Sequence, residues 1–393
     1  MRTLVERLYA ALAAGDVATI TSLLTEDFVG HLTPSLPFGI GGDHEGPEAM
    51  MHEGWFRFGE HWRVRTFPDA FEPLEDGRLQ VTGTYRGRGR RSGAPFEAPF
   101  VHTWTFRDGR IAALTQLTDS AAFRDALGDA APLRTFDLSV EDGLAVLRID
   151  RPDVRNAIDQ DLADELLVAA RRIAGDPGVR ALLICGSGPD LTVGGDIGYF
   201  AGDPEADLAS TLRSMTTPFH LAFQVLATLE VPIVTAARGA VAGGGLGFVY
   251  AADIVVAADD TRFVTAFAQI GLSGDGGGTW HLPRRIGPAR AAAAYLLNEP
   301  ITAQQGLDWG LVAEVLPADD VEARARALAR RLADGPTRAY GAMRRLLRES
   351  WDRSLPDQLD AEVEALATSA GTDDARGAID AFLAKQRPTF HGR

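Results

Sequence analysis

At 393 residues the chain is too long for one ordinary hydrophobic core, so two domains are expected. Its 54 acidic residues against 39 Lys and Arg give a formal charge of −15, which argues against a nucleic-acid partner or an anionic membrane surface. The 46% hydrophobic and 24% charged shares are those of a soluble globular protein, and a lone cysteine excludes an internal disulfide and points to the cytosol. That cysteine, Cys185, sits in the apolar run ALLICG, a buried-strand position rather than a nucleophile's. No 18 uncharged apolar residues run together, so no membrane span is expected. The N-terminus has Leu4, Val5, Leu8 and Leu12 at helical spacing, interrupted by Glu6 and Arg7, and does not read as a signal peptide.

In chain order, helical patterns at 2–14 and 17–24 are split by Gly15-Asp16, and TEDFVGHL follows as a short strand. The loop 33–46 is irregular; its glycines follow no strand and open no dinucleotide fold. A helix is expected over 47–60. Strands at 62–73, 78–87, 95–107 and 110–118 come next, punctuated by Glu75-Asp76-Gly77, Ser92-Gly93 and Asp108-Gly109. Helices followed by a long meander predict an α+β cone whose curved sheet wraps a pocket.

This arrangement, with AALAAGD, LLTEDFVGH, FRDGRI and the final Asp119, resembles the SnoaL-like (ketosteroid isomerase-like) domain over residues 1–127. That fold hosts isomerases, cyclases and plain binding modules, so its role must come from its site. His31, His102 and Asp119 are the polar candidates for the pocket. Asp119 lies near where polyketide cyclases of this fold carry an acid/base aspartate; the competing reading is a helix cap before AAFRDAL. The two histidines have no metal-ligand spacing, and no metal site is expected.

Residues 128–135, GDAAPLRT, have linker composition. Beyond them, strands at 136–140 and 144–149 flank Glu141-Asp142-Gly143. A helix at 159–174, a strand at 180–185, a loop at 186–198 and a long helix at 204–229 follow. The stretch 232–287 then carries a strand, Gly239, the triplet Gly243-Gly244-Gly245, a short helix-like run, a second strand, and the cluster Gly274-Asp275-Gly276-Gly277-Gly278. Glycines at a helix entry admit a ligand close to unpaired N–H groups, an arrangement suited to an oxyanion. From 288 the chain reads helical, with breaks at Pro300, Gly335-Pro336 and Gly371.

RPDVRNAI at 151–158, LTVGGDI at 191–197, the G-x-x-x-GGG element at 239–245, PITAQQGLDWGLVAEVLP at 300–317 and AFLAKQRPTF at 381–390 occur in one order. In that order they resemble the crotonase (enoyl-CoA hydratase/isomerase) superfamily over 136–393. The resemblance implies an α/β spiral of ββα turns with C-terminal helices, a homotrimer or dimer of trimers, and an acyl thioester of coenzyme A or phosphopantetheine as substrate. No redox cofactor is implied. It makes Gly195 and Gly244 the oxyanion donors, and Phe382, Lys385 and, more weakly, Arg155 contacts to the carrier.

Three departures matter. Gly247 and Phe267 stand where hydratases carry their two glutamates, so syn-hydration by that pair is not expected. Arg238 stands where many relatives have asparagine. Asp275 matches the aspartate of an IGL-x-x-D-x-G pattern shared with epoxyphenylacetyl-CoA isomerase-like and 4-chlorobenzoyl-CoA dehalogenase-like members. In the former a carboxylate shuttles protons; in the latter it attacks an aryl carbon. Phe267 and Trp280 are candidate apolar walls for Asp275, and a helix cap is its bland alternative. Three readings follow: an isomerase with Asp275 as acid/base beside an N-terminal domain that binds or cyclises a polyketide-like intermediate; hydrolytic, dehalogenating or C–C bond chemistry at Asp275; and a silent acyl-binding assembly module.

Overall fold

The computed structural model describes residues 1–128, 132–202 and 207–392. Its contacts divide it into two units, Met1–Pro132 and Leu133–Arg393.

The first unit opens with helices Arg2–Ala14 and Val17–Leu23. Gly15 ends the first in the left-handed region (φ 68°), and the Asp16 carboxylate caps the second through Thr19 N–H. The strands are β1 (Leu24–Leu32), β2 (Gly42–Glu45), β3 (Trp62–Pro73), β4 (Leu79–Gly89), β5 (Pro95–Arg107) and β6 (Arg110–Thr118). They form one sheet in the order β2-β1-β6-β5-β4-β3, parallel only between β1 and β6. In β5 every second residue from Phe96 to Trp104 is buried, so the period-2 pattern points one face inward.

Two local expectations fail here. The loop 33–46 contains β2, paired to β1 from Val29↔Glu45 to Leu32↔Gly42. The helix at 47–60 is interrupted by a π-helical stretch, Met50–Trp55, between Gly46–Ala49 and Phe56–His61. The wider turn seats Met50 over Gly30, where a Cβ would come within 2.4 Å of the Met50 sulfur.

The second unit carries β7 (Phe136–Glu141), β8 (Leu144–Ile149), β9 (Ala181–Gly186), β10 (Ile233–Ala237), β11 (Ala240–Ala242), β12 (Ile254–Ala258), β13 (Arg262–Val264), β14 (Ile301–Thr302) and β15 (Glu314–Leu316). One sheet runs β15-β12-β10-β9-β8-β7, antiparallel only at β7–β8; the other runs β11-β13-β14. β9 and β10 are buried along their whole length, as parallel strands covered on both faces must be. One face meets the alanine stripe Ala325, Ala329 and Ala333 of helix Ala318–Ala333. Cys185 lies on that face, and burial pushes its thiol up to about 11, so it is inert packing. β14 and β15 interrupt the expected helical tail.

Of the expected linker 128–135, residues 129–131 lie outside the described residues. Arg134 and Thr135 are fastened to the second unit, because the Glu165 carboxylate accepts both backbone N–H groups at 2.8 Å and the Thr135 hydroxyl at 2.8 Å. A nearly buried carboxylate requires such donors. Among the described residues no helix is long and apolar enough to cross a membrane.

Candidate active site

Two glycine loops of the second unit come together through backbone. Thr192 pairs with Val241 in a parallel bridge, and Ala242 N–H donates to Thr192 O at 3.1 Å. A Cβ at Gly194 would lie 2.8 Å from Ala242 O, so only glycine permits this approach. The amides beside Gly195 are spoken for: Gly194 N–H donates to Thr192 Oγ1 at 3.1 Å, and Asp196 N–H to Ile158 O at 2.8 Å. Among the described residues the Gly195 N–H has no partner. Gly244 is the second residue of the 3-10 turn Gly243–Leu246, whose N-cap, Ala242, offers no side-chain acceptor. Its N–H therefore also belongs to the unladdered end of the turn.

Asp275 is brought to this place by its own glycines. Gly276 (φ 62°) lies against Gly244, and a Cβ there would fall 2.5 Å from Gly244 O. A Cβ built on Gly244 would lie 2.8 Å from Asp275 Oδ2, which sets that oxygen against the open face of the turn. The helix Gly278–Ile286 starts from Gly277 with no side-chain cap. The Asp275 carboxylate does not cap it; Oδ1 instead takes a short hydrogen bond from His220 Nε2.

His220 is the residue the sequence did not reveal. It stands 55 positions before Asp275 in the long helix Leu208–Thr228, where nothing local marks it. Pro218 lies inside that helix and withholds the N–H that Ser214 O would receive, and Gln160 Nε2 donates there instead at 3.4 Å. Hydrogen bonding to Asp275 raises the His220 pKa, against a smaller opposing effect of burial. The imidazole is half exposed.

The space where hydratases place one glutamate is full. A Cβ at Gly247 would lie 2.5 Å from the Phe223 ring, which packs edge-on with Phe219 and Phe248. Phe267 stacks with Tyr295, their centroids 6.4 Å apart. Burial, with the Asp275 carboxylate adding to it, pushes the Tyr295 hydroxyl up to about 12. Trp280 is 39% exposed and lies under the Arg284 guanidinium at 4.0 Å, so it is not an enclosing wall.

The remaining expected residues lie elsewhere. Arg155 is held two-pronged by Asp190, at 2.7 and 3.2 Å, and a phosphate would have to share it. Arg238 donates to Gly188 O at 2.9 Å and Gly186 O at 3.3 Å, which gives it a role as a tie between loops. Phe382, 81% exposed, and Lys385, in the left-handed region at φ 56°, stand open to solvent at the end of helix Asp373–Leu383.

In the first unit His31, His102 and Asp119 do not meet in one pocket. Asp119 is exposed and caps helix Ser120–Asp125, accepting from Ala121 N–H at 3.0 Å and Ala122 N–H at 3.2 Å. His31 is exposed, with Nδ1 2.7 Å from Asp43 Oδ1 on β2. His102 alone faces inward. Among the described residues no group of three or more His, Cys, Asp or Glu side chains could hold a metal ion.

Residues 139–393 match the family model described as enoyl-CoA hydratase/isomerase. The chain belongs to that family. Residues 5–114 match the SnoaL-like domain, so the two expected folds are the observed ones. The crotonase part is 37% identical to a probable enoyl-CoA hydratase of Rhodobacter capsulatus, covering 66% of this chain and 98% of that protein. It is 32% identical to 1,2-epoxyphenylacetyl-CoA isomerase of Escherichia coli, covering 65% and 97%. A solved structure titled as a putative enoyl-CoA hydratase/isomerase from Mycobacterium abscessus superposes with TM-score 0.63 at 37% identity, covering 66% of this chain and all of that one.

Proposed function

We propose that the crotonase domain isomerises an enoyl or cyclic acyl thioester, of coenzyme A or a carrier protein, through its enolate, with Asp275 carrying the proton. The observation that supports this best is Asp275 Oδ2 set against the Gly244 turn while His220 holds Oδ1. The thioester carbonyl accepts from the Gly195 and Gly244 amides, which stabilise the negative oxygen formed when a carbon–hydrogen bond breaks. Oδ2 takes that proton and returns it at the other end of the conjugated system. Atoms and charge balance, and the double bond moves. His220 is a positioning residue that keeps Oδ1 from rotating toward substrate. With glycine at 247, phenylalanine at 267 and Phe223 filling the space beside 247, two-carboxylate hydration has no second acid.

A second reading rests on the same imidazole. A half-exposed His220 beside the carboxylate is placed to activate water in a route where Asp275 attacks a halogen-bearing ring carbon, halide leaves, and water then cleaves the resulting aryl ester to a phenol and the free carboxylate. Single turnover in H2-18O separates the two: incorporation of label into Asp275 supports the ester, and its absence with continuing exchange of substrate α-protons in D2O supports isomerisation. Crotonyl-CoA and its 3-enoyl isomer are the first substrates to try. No exchange and no turnover across an acyl-CoA panel would leave the silent acyl-binding module.

The first unit is read as a domain that binds a hydrophobic intermediate, and the second as a trimer-former. Leu347, Trp351, Leu355, Leu359, Leu366 and Phe382 are each more than half exposed along the last helices, more apolar surface than a lone subunit ordinarily leaves to water. Phe382 and Lys385 are assigned to the carrier moiety across that contact. Light scattering that finds a monomer at micromolar concentration overturns this assembly.

A further inference from the structure

The net charge of −15 conceals a basic face on the first unit. On β3 the run Trp62-Arg63-Val64-Arg65 buries Trp62 and leaves Arg63 and Arg65 exposed. On β4 the exposed Arg86 and Arg88 alternate with Gly87 and Gly89. The glycines face inward, where no side chain fits: a Cβ at Gly87 would lie 2.9 Å from the buried Phe96 ring and 2.5 Å from Arg63 O. The register sets Arg63 opposite Arg88 and Arg65 opposite Arg86, so four arginines form a two-by-two array on the outer face of the sheet.

The array is not neutralised from within. Among the described residues Arg63 and Arg65 have no hydrogen-bond or ion-pair partner. Arg88 donates to a carbonyl, Gly93 O, at 3.1 Å. Glu97 on β5 meets Arg86 at 3.2 Å, but both side chains are more than half exposed, and so exposed a pair is weak. Like charges directly opposite in an antiparallel pair destabilise the sheet. Charge on β3 alone would protect a free sheet edge; arginines on β4, which is paired on both sides, do not serve that purpose. An anionic partner from outside offsets the repulsion.

The spacing of the array selects that partner. Residues two apart on a strand are about 6.8 Å apart, and neighbouring strands about 4.8 Å. Acidic residues at i and i+4 of a helix are about 6 Å apart along its axis, so an acidic helix laid along β3 and β4 matches the rows. Each guanidinium can hold a carboxylate two-pronged. Phe67, next outward on β3 and 41% exposed, adds an aromatic contact beside the array, a mixture that protein interfaces favour. A nucleic acid or an anionic membrane extends beyond the array onto a molecule of net charge −15. A compact partner feels mainly the array, because other charges are screened over about 8 Å.

We propose that Arg63, Arg65, Arg86 and Arg88 dock an acidic helix of a carrier protein that bears the acyl thioester. The inference rests on the reading of the chain as an acyl-thioester enzyme and chooses between the two carriers that reading allows. A coenzyme A thioester needs no basic face outside its own site, whereas a protein carrier must be held by its surface. Complementary charge speeds such an encounter and makes it sensitive to salt. A second copy of the chain presenting the same face would set arginine against arginine.

The test titrates the full chain with an acidic type II acyl carrier protein in its apo form, followed by fluorescence anisotropy at low and high salt. Saturable binding is expected, weakened by salt and weakened about tenfold by Arg65→Glu combined with Arg88→Glu. If that pair lowers Tm, Arg65→Ala with Arg88→Ala replaces it and should weaken binding about threefold. The kcat/KM for a crotonyl carrier-protein thioester should fall with the affinity, while that for crotonyl-CoA is unchanged. No saturable binding overturns the proposal. So does wild-type affinity in the variants, tighter binding of a DNA duplex or of anionic vesicles, or a self-association of the chain that the variants abolish. Carrier binding through these arginines without turnover of either thioester overturns the isomerase reading and leaves this one standing. Turnover of crotonyl-CoA without carrier binding does the reverse.

Discussion

Two histidines divide the molecule's chemistry between them. His102 lies on a strand inside the first unit, 4% exposed, between two hydroxyls, and burial holds it neutral with a pKa near 3. His220 lies on a helix of the second unit, half exposed, against the Asp275 carboxylate, which raises its pKa. The same side chain is a fixed hydrogen-bond relay in one setting and a titrating partner in the other. Burial without a counter-charge disfavours the imidazolium; an adjacent carboxylate favours it. Residue type alone therefore did not tell these sites apart, and the neighbours that did are 55 positions away for His220 and 17 and 93 for His102.

The sharpest way to break this comparison is at Asp275. Asp275→Asn should lower turnover by roughly 10²–10⁴, the range of general acid–base catalysis, while thioester affinity stays within a few-fold because both glycine amides are untouched. Steady-state rates beside calorimetric binding check this. Near-normal turnover would remove Asp275 from the mechanism. A helix-cap role would predict such survival, since Asn caps about as well as Asp.

The glycine that seats Asp275 gives the next effect. Gly276→Ala places a Cβ at φ 62° within 2.5 Å of Gly244 O, so the loop must move off the turn. Loss of one aligned oxyanion donor costs about 10²–10³ in rate, and kcat should fall by that order, with a lowered Tm because a Cβ at this positive φ strains the loop against backbone. A rate unchanged by this substitution would mean that the Gly244 amide does not face the reacting carbonyl.

What the sequence made legible here is what local pattern encodes. The strands of β3, β5 and β6 and the order of glycine loops were readable because period-2 burial and turn residues act over a few positions. The amides proposed as donors, those of Gly195 and Gly244, were singled out by motif. Asp119 stayed ambiguous because Asp before a short helix reads both as a cap and as an acid, and the Ala121 and Ala122 contacts show it in the capping position. His220 was invisible because its meaning depends on a carboxylate from another element. Phe223 was invisible for a similar reason: its ring fills the space beside Gly247 from a different helix.

That packing supplies a third test. Gly247→Glu should not create a hydratase. It should destabilise the second unit by about 1–3 kcal/mol, the usual cost of overpacking, because the Phe223 ring stands 2.5 Å from the new Cβ. Denaturant unfolding and a hydration assay on crotonyl-CoA check both halves. Measurable hydration would show that Phe223 yields and that the aromatic filling does not define the reaction.

The last prediction returns to the two histidines through pH. His102 has a depressed folded pKa, about 3 against an ordinary 6.5, so below pH 6.5 the unfolded chain binds a proton that the folded one refuses. Its contribution is intact above pH 6.5 and is lost as pH falls, by about 2 kcal/mol at pH 5, taking about 1.4 kcal/mol per pH unit. His220 has the opposite sign. Its folded pKa is raised, so its stabilising contact with Asp275 is fully present below the unfolded value near 6.5 and is lost as pH rises through the folded value. Half exposure makes that effect the smaller one. Unfolding of His102→Asn and His220→Gln at pH 5 and pH 8 should therefore diverge. The wild-type advantage over His102→Asn shrinks in acid, whereas the advantage over His220→Gln grows. Parallel trends in the two variants would mean that one of these rings does not sit in the environment assigned to it.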